Sequence, residues 1–131
     1  MAYTDRPLLW KFNVNTADSA GAIADNTDID GIVIPANREI EIQGMNGVVR
    51  AASDGADFIE LVNEANTVLC KIALQTTGTK AAVNSDGSTP TTFPIRVARQ
   101  STTALSTLKL RTDGATDTST DVTIQVLITG L

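Results

Sequence analysis

Hydrophobic and polar residues alternate along most of this chain, and the alternation predicts strands rather than helices. In Leu8-Leu9-Trp10-Lys11-Phe12-Asn13-Val14, the residues Leu8, Trp10, Phe12 and Val14 share one face, while Lys11 and Asn13 take the other. Val122-Thr123-Ile124-Gln125-Val126-Leu127-Ile128 repeats the pattern near the C-terminus, with its even-numbered residues in an unbroken aliphatic face. That strand is expected to be built into a sheet. Between these two, Glu39-Ile40-Glu41-Ile42-Gln43 alternates strictly, Ile95 and Val97 flank Arg96, and Leu108 and Leu110 alternate with Lys109 and Arg111. Residues 58–62 and 68–74 are further strands. The second is apolar on nearly both faces, which predicts a central position. Neither 17–24 nor 51–62 carries a sustained i, i+3, i+4, i+7 stripe, so no helix is predicted.

The breaks between strands have their own chemistry. Asn46-Gly47 predicts a type I′ hairpin joining 39–43 to 48–51, because these residues readily take the two positive φ angles of that turn. Ser53-Asp54-Gly55 marks another turn, and Asn63-Glu64-Ala65-Asn66 reads as a four-residue hairpin loop. Ile32-Val33-Ile34 stops at Pro35, which cannot donate to a ladder and so closes the strand or sets it at an edge. Residues 15–27 read as a loop. Residues 76–92 form the longest polar connection, expected to run over the surface. Eight or nine short strands with regular turn signals predict an all-β, antiparallel β-sandwich, with the jelly roll as favoured topology. Residues 1–7 read as an N-terminal arm and 8–131 as a single sandwich domain.

Composition sharpens this picture. Nineteen threonines and only five aromatic residues describe a chain built on β-branched and aliphatic packing. The formal net charge is −5, and the nearest thing to a basic run is Arg96 with Arg99. A nucleic-acid binder needs a basic footprint, and an anionic membrane surface attracts basic rather than acidic chains, so neither partner is expected. The apolar run at 8–10 is too short for a signal peptide, and no stretch approaches the roughly 20 apolar residues that span a bilayer. One cysteine, Cys70, excludes an internal disulfide and predicts folding in a reducing cytoplasm.

Catalytic chemistry is hard to assemble from these residues. The chain has no histidine, which removes the Ser–His–Asp and Cys–His arrangements and most zinc sites. Cys70 shares a face with Val68, Ile72 and Leu74 and is expected in the core. Asp25, Asp28 and Asp30 offer oxygen ligands but match no calcium loop, and they read as a solvated acidic turn. The same holds for Asp113, Asp117 and Asp121. Gly44, Gly47 and Gly55 read as turn glycines rather than a phosphate loop. No cofactor, metal site or catalytic residue is predicted, and the chain is not expected to be an enzyme. Tyr3, Arg6, Leu8 and Trp10 are the candidate residues for contact with a partner, because Tyr, Trp and Arg are enriched where proteins bury surface together.

The Thr-rich all-β pattern, the start MAYTDRPLLWKFNV and the terminal strand DVTIQVLITGL together resemble the small jelly-roll decoration, or cement, proteins of tailed bacteriophage capsids. The resemblance is one of pattern over residues 8–131. It implies a structural virion protein that folds in the host cytoplasm and forms a homotrimer. Such a trimer binds the major capsid protein on the outside of the assembled head and bridges capsomers. Two other expectations compete with it: a tail or head-completion protein, and a carbohydrate-binding sandwich for host attachment. The shortage of aromatic platforms counts against the second.

Overall fold

Alternation of this kind becomes structure only when each strand finds a backbone partner. The computed structural model describes residues 7–15, 27–53, 57–113 and 121–131. Among these residues it contains nine strands in two antiparallel sheets and no helix, the β-sandwich architecture expected from the sequence. The strands are β1 (Leu8–Asn15), β2 (Asp28–Ile34), β3 (Ile40–Ala51), β4 (Phe58–Val62), β5 (Val68–Ala73), β6 (Gly78–Ala81), β7 (Ile95–Val97), β8 (Ser106–Asp113) and β9 (Asp121–Thr129). One sheet has the order β1-β9-β3-β6, with β7 also paired to β3; the other has the order β2-β8-β4-β5. Only β4–β5 and β6–β7 are consecutive within a sheet, so most connections carry the chain from one sheet to the other.

The two inner faces make one core. Ile40, Ile42, Met45, Val49, Val122, Ile124, Val126 and Ile128 come from the first sheet; Ile34, Ile59, Leu61, Cys70, Ile72, Leu108 and Leu110 come from the second. The even-numbered residues of β9 are fully buried, as their alternation predicts. Burying each such aliphatic side chain contributes roughly 1.5–3 kcal/mol before the cost of ordering it. β9 lies between β1 and β3 and pairs with both along most of its length.

The structure revises four expectations. Asn46-Gly47 is not a hairpin turn: both residues lie within the continuous strand β3, and neither has positive φ. Gly47 serves a different need there, since a Cβ at this position would stand 3.0 Å from the Thr123 carbonyl of β9. The ladder to β9 also shifts register between Ile42 and Gly44, where glycine accommodates the bulge. A long partner strand outweighs local turn propensity. Secondly, β5 is an edge strand of its sheet rather than a central one. That edge is covered by the segment after β6, with Lys71 and Val83 exchanging both backbone hydrogen bonds at 2.9 Å. Thirdly, the polar stretch 76–92 contains β6, which pairs with residues Asn46 to Val49 of β3. β6 has no hydrophobic alternation because it buries almost nothing; its contribution is backbone pairing. Finally, β2 begins at Asp28 and so takes in residues read as an acidic turn.

The remaining signals correspond closely to the fold. The loop Asn63–Asn66 closes the β4–β5 hairpin, with Asn66 at φ +62° and the Asn66 amide donating to the Asn63 carbonyl at 2.9 Å. Pro35 follows β2, which is indeed an edge strand. The turn expected at Ser53-Asp54-Gly55 and the loop 15–27 fall mostly outside the described residues.

Candidate functional site

The sandwich has two lateral sides, and they are finished differently. On the β5/β6 side, the chain after β6 returns along β5 and then forms a tight turn. Asp86 caps that turn: its carboxylate accepts from the Ser88 and Thr89 amides, each at 2.9 Å, and from the Thr89 hydroxyl at 2.6 Å. These bonds hold the Asp86 carboxyl at about 2, well below its ordinary value. Gly87, at φ +80°, brings the turn down onto Phe58, and a Cβ there would stand 3.1 Å from the ring. Beneath it, the buried Lys71 places its ammonium 4.0 Å from the centre of the Phe58 ring and 3.6 Å from Asp113 Oδ2. Arg111 bonds the buried Glu60 at 3.1 Å beside it.

On the β1/β2 side the Trp10 side chain reaches across the gap between the sheets. Trp10 is 7% exposed and packs in the core, and its indole Nε1 donates to Asp30 Oδ2 at 2.8 Å. Asp30 Oδ1 accepts from the Gly31 amide at 2.9 Å. Outside this bridge, a mainly apolar groove of ≈ 410 Å³ runs along β2 from Asp28 to Val33, with Thr107 and Lys109 as its other wall. Leu9 and Val33 are 55% and 56% exposed. Among the described residues no strand covers the outer edge of either β1 or β2.

A second, polar pocket of ≈ 330 Å³ opens near the start of β3 between Asn37, Glu39, Arg96, Ala98 and Arg99. Arg96 donates to Glu39 at 2.7 Å, and this hydrogen bond lowers the Glu39 carboxyl below its ordinary value. Arg99 donates to the Asn37 side chain at 2.9 Å. The two arginines closest to a basic run in the sequence therefore meet here, each with a polar partner.

The candidate contact residues are divided by the structure. Tyr3 and Arg6 lie outside the described residues. Leu8 is 42% exposed at the start of β1, whereas Trp10 two positions on faces the core. The neighbouring Leu9 is more open than either, because alternation puts it on the outer face. Cys70 is buried against Met45, with Sγ 3.4 Å from Sδ, and desolvation pushes its thiol up to about 12. It is a core side chain and not a nucleophile. Asp28, Asp30, Asp113 and Asp121 are held separately by Lys109, Trp10, Lys71 and Arg50. Among the described residues no three acidic or thiol side chains gather in a metal-binding group.

The groove on β2 was the feature least visible in the sequence. Its only signals are Gly31 beside Val33, and an acidic pair with no hydrophobic alternation of its own. No family model, no curated protein and no solved structure matches the chain.

Proposed function

We propose that this chain is a structural protein of a virus particle: a capsid decoration protein that seats on the outer surface of an assembled head and holds neighbouring capsomers together. It acts by binding rather than by catalysis. The observation that carries the reading is the strand order. With β7 set aside, β1-β9-β3-β6 opposite β2-β8-β4-β5 is the order that two Greek keys folded into a jelly roll would give, and we propose that topology for the sandwich. Rigid sandwiches of this kind suit a shell, because they present side chains from fixed strands and need no cofactor. The absence of histidine and the inert Cys70 also favour a binding role.

The docking contact would draw on Leu8 and on the arm that precedes it, with Tyr3 and Arg6, while Trp10 fixes the strand that carries them. Leu8, Leu105 and Leu131 are exposed at 42%, 67% and 38%. Topology brings all three to one end of the sandwich, where Arg38 reaches the Gly130 carbonyl and the Asn37 amide the Ser101 carbonyl. A ligand that binds only the assembled shell stabilises it by mass action, and repetition over the shell multiplies a modest contact. The partner proposed is the major capsid protein, and the form proposed is a homotrimer. Incubation with undecorated shells followed by sedimentation tests this reading. Saturable co-sedimentation at micromolar concentration, lost in Leu8→Asp with Leu105→Asp, is expected. Failure to co-sediment would overturn it.

A further inference from the structure

We infer that the β1/β2 side is a seam between copies of this chain, in which β1 of one copy pairs antiparallel with β2 of the next. The inference deepens the structural reading above but rests on the edges themselves. An exposed strand edge is a template for pairing, and folded proteins cover it, charge it or join it to a partner. The chain covers β5 itself, through Lys71 and Val83, whereas no described strand covers β1 or β2.

Charge selects which edges meet. The outer face of β1 carries Lys11, and the outer face of β2 carries Asp28, whose side chain is 52% exposed. Antiparallel pairing of β1 with its own copy about its midpoint would set lysine near lysine, which is disfavoured across a strand pair. β1 against β2 instead brings Lys11 toward Asp28, whose carboxylate lies 3.5 Å from Lys109 Nζ of its own chain. Shape agrees with charge in one register. With Leu9 opposite Gly31, the exposed leucine enters the ≈ 410 Å³ groove at the position that lacks a side chain. The same register takes Lys11 to the bulge that carries Asp28 and sets Pro7 opposite the exposed Val33. Pro7 has no amide hydrogen and ends the pairing. Within one copy β1 and β2 already run in opposite directions, since the chain enters β1 and leaves β2 at the same end of the sandwich. The seam can therefore close about a two-fold or three-fold axis parallel to the strands.

Two single-cysteine additions test it in the free protein. Lys11→Cys and Asp28→Cys are surface changes, and the native Cys70 is buried and unreactive. Mild oxidation of an equimolar mixture at tens of micromolar is expected to give at least tenfold more linked dimer than either variant alone. Lys11→Asp is expected to weaken association tenfold or more, and adding Asp28→Lys to restore it. Equal linking within a single variant would overturn the seam, and so would no linking above an Arg96→Cys control mixed with Asp28→Cys. Because no shell is present, failure here is distinct from failure to dock on a capsid.

Discussion

The two lateral sides of this sandwich solve the same problem with different means. At β5 and β6 the chain spends its own residues on closure: a returning segment supplies backbone pairing, Gly87 permits close approach, and Lys71 and Glu60 are buried with partners. At β1 and β2 one indole bridges the sheets, and the edges beyond it carry leucine, valine and unlike charges. The difference lies in what covers the strand edges: a returning segment at β5, and no described strand at β1 or β2.

The comparison can be broken first at Trp10. Trp10→Ala removes a core side chain that bonds across the open side to Asp30 and is expected to lower stability by about 3–5 kcal/mol, measured by urea unfolding. Trp10→Phe keeps the packing but leaves Asp30 Oδ2 without its donor, and about 1–3 kcal/mol is expected. On the covered side, Gly87→Ala forces an L residue into positive φ against Phe58 and should cost about 1–2 kcal/mol. A loss there as large as that of Trp10→Ala would mean that the two sides carry comparable weight. Val33→Lys should change stability by no more than about 0.5 kcal/mol while abolishing association, read by sedimentation equilibrium. An effect on stability alone would make Val33 an ordinary structural residue.

The smallest effect concerns acid. The Asp86 carboxyl is depressed from 3.8 to about 2 in the folded chain, so its bonds stabilise the turn above its ordinary value. That contribution falls as pH drops through 3.8 toward 2. Protection of the Ser88 and Thr89 amides, relative to their intrinsic exchange rates at each pH, should fall over this window, and Asp86→Asn should flatten the change.

How much of this was legible in sequence follows from what each strand buries. β9 and β8 were read correctly because one face of each is fully buried, so alternation is enforced residue by residue. β6 was missed because its role is backbone pairing, and backbone pairing leaves no mark on side-chain pattern. Asn46-Gly47 misled because a turn propensity is local, while β9 offers partners from Glu41 to Ala51. Of the candidate contact residues, Leu8 is exposed and Trp10 is not. The pattern does place them on one face, but strand ends are left open where strand centres are covered. The groove at Gly31 lies beside the register shift between Asp28 and Asp30, and no period reveals a bulge.

Among the described residues no strand covers the outer edge of β2, whereas a returning segment covers β5, and amide hydrogen exchange at rising protein concentration tests this contrast most directly. The account predicts that the β2 amides left unpaired by β8 exchange quickly in dilute solution and slow as concentration rises, while β5 is protected throughout. Protection of β2 equal to that of β5 at every concentration would contradict it, since the edge would then already be covered within a single chain.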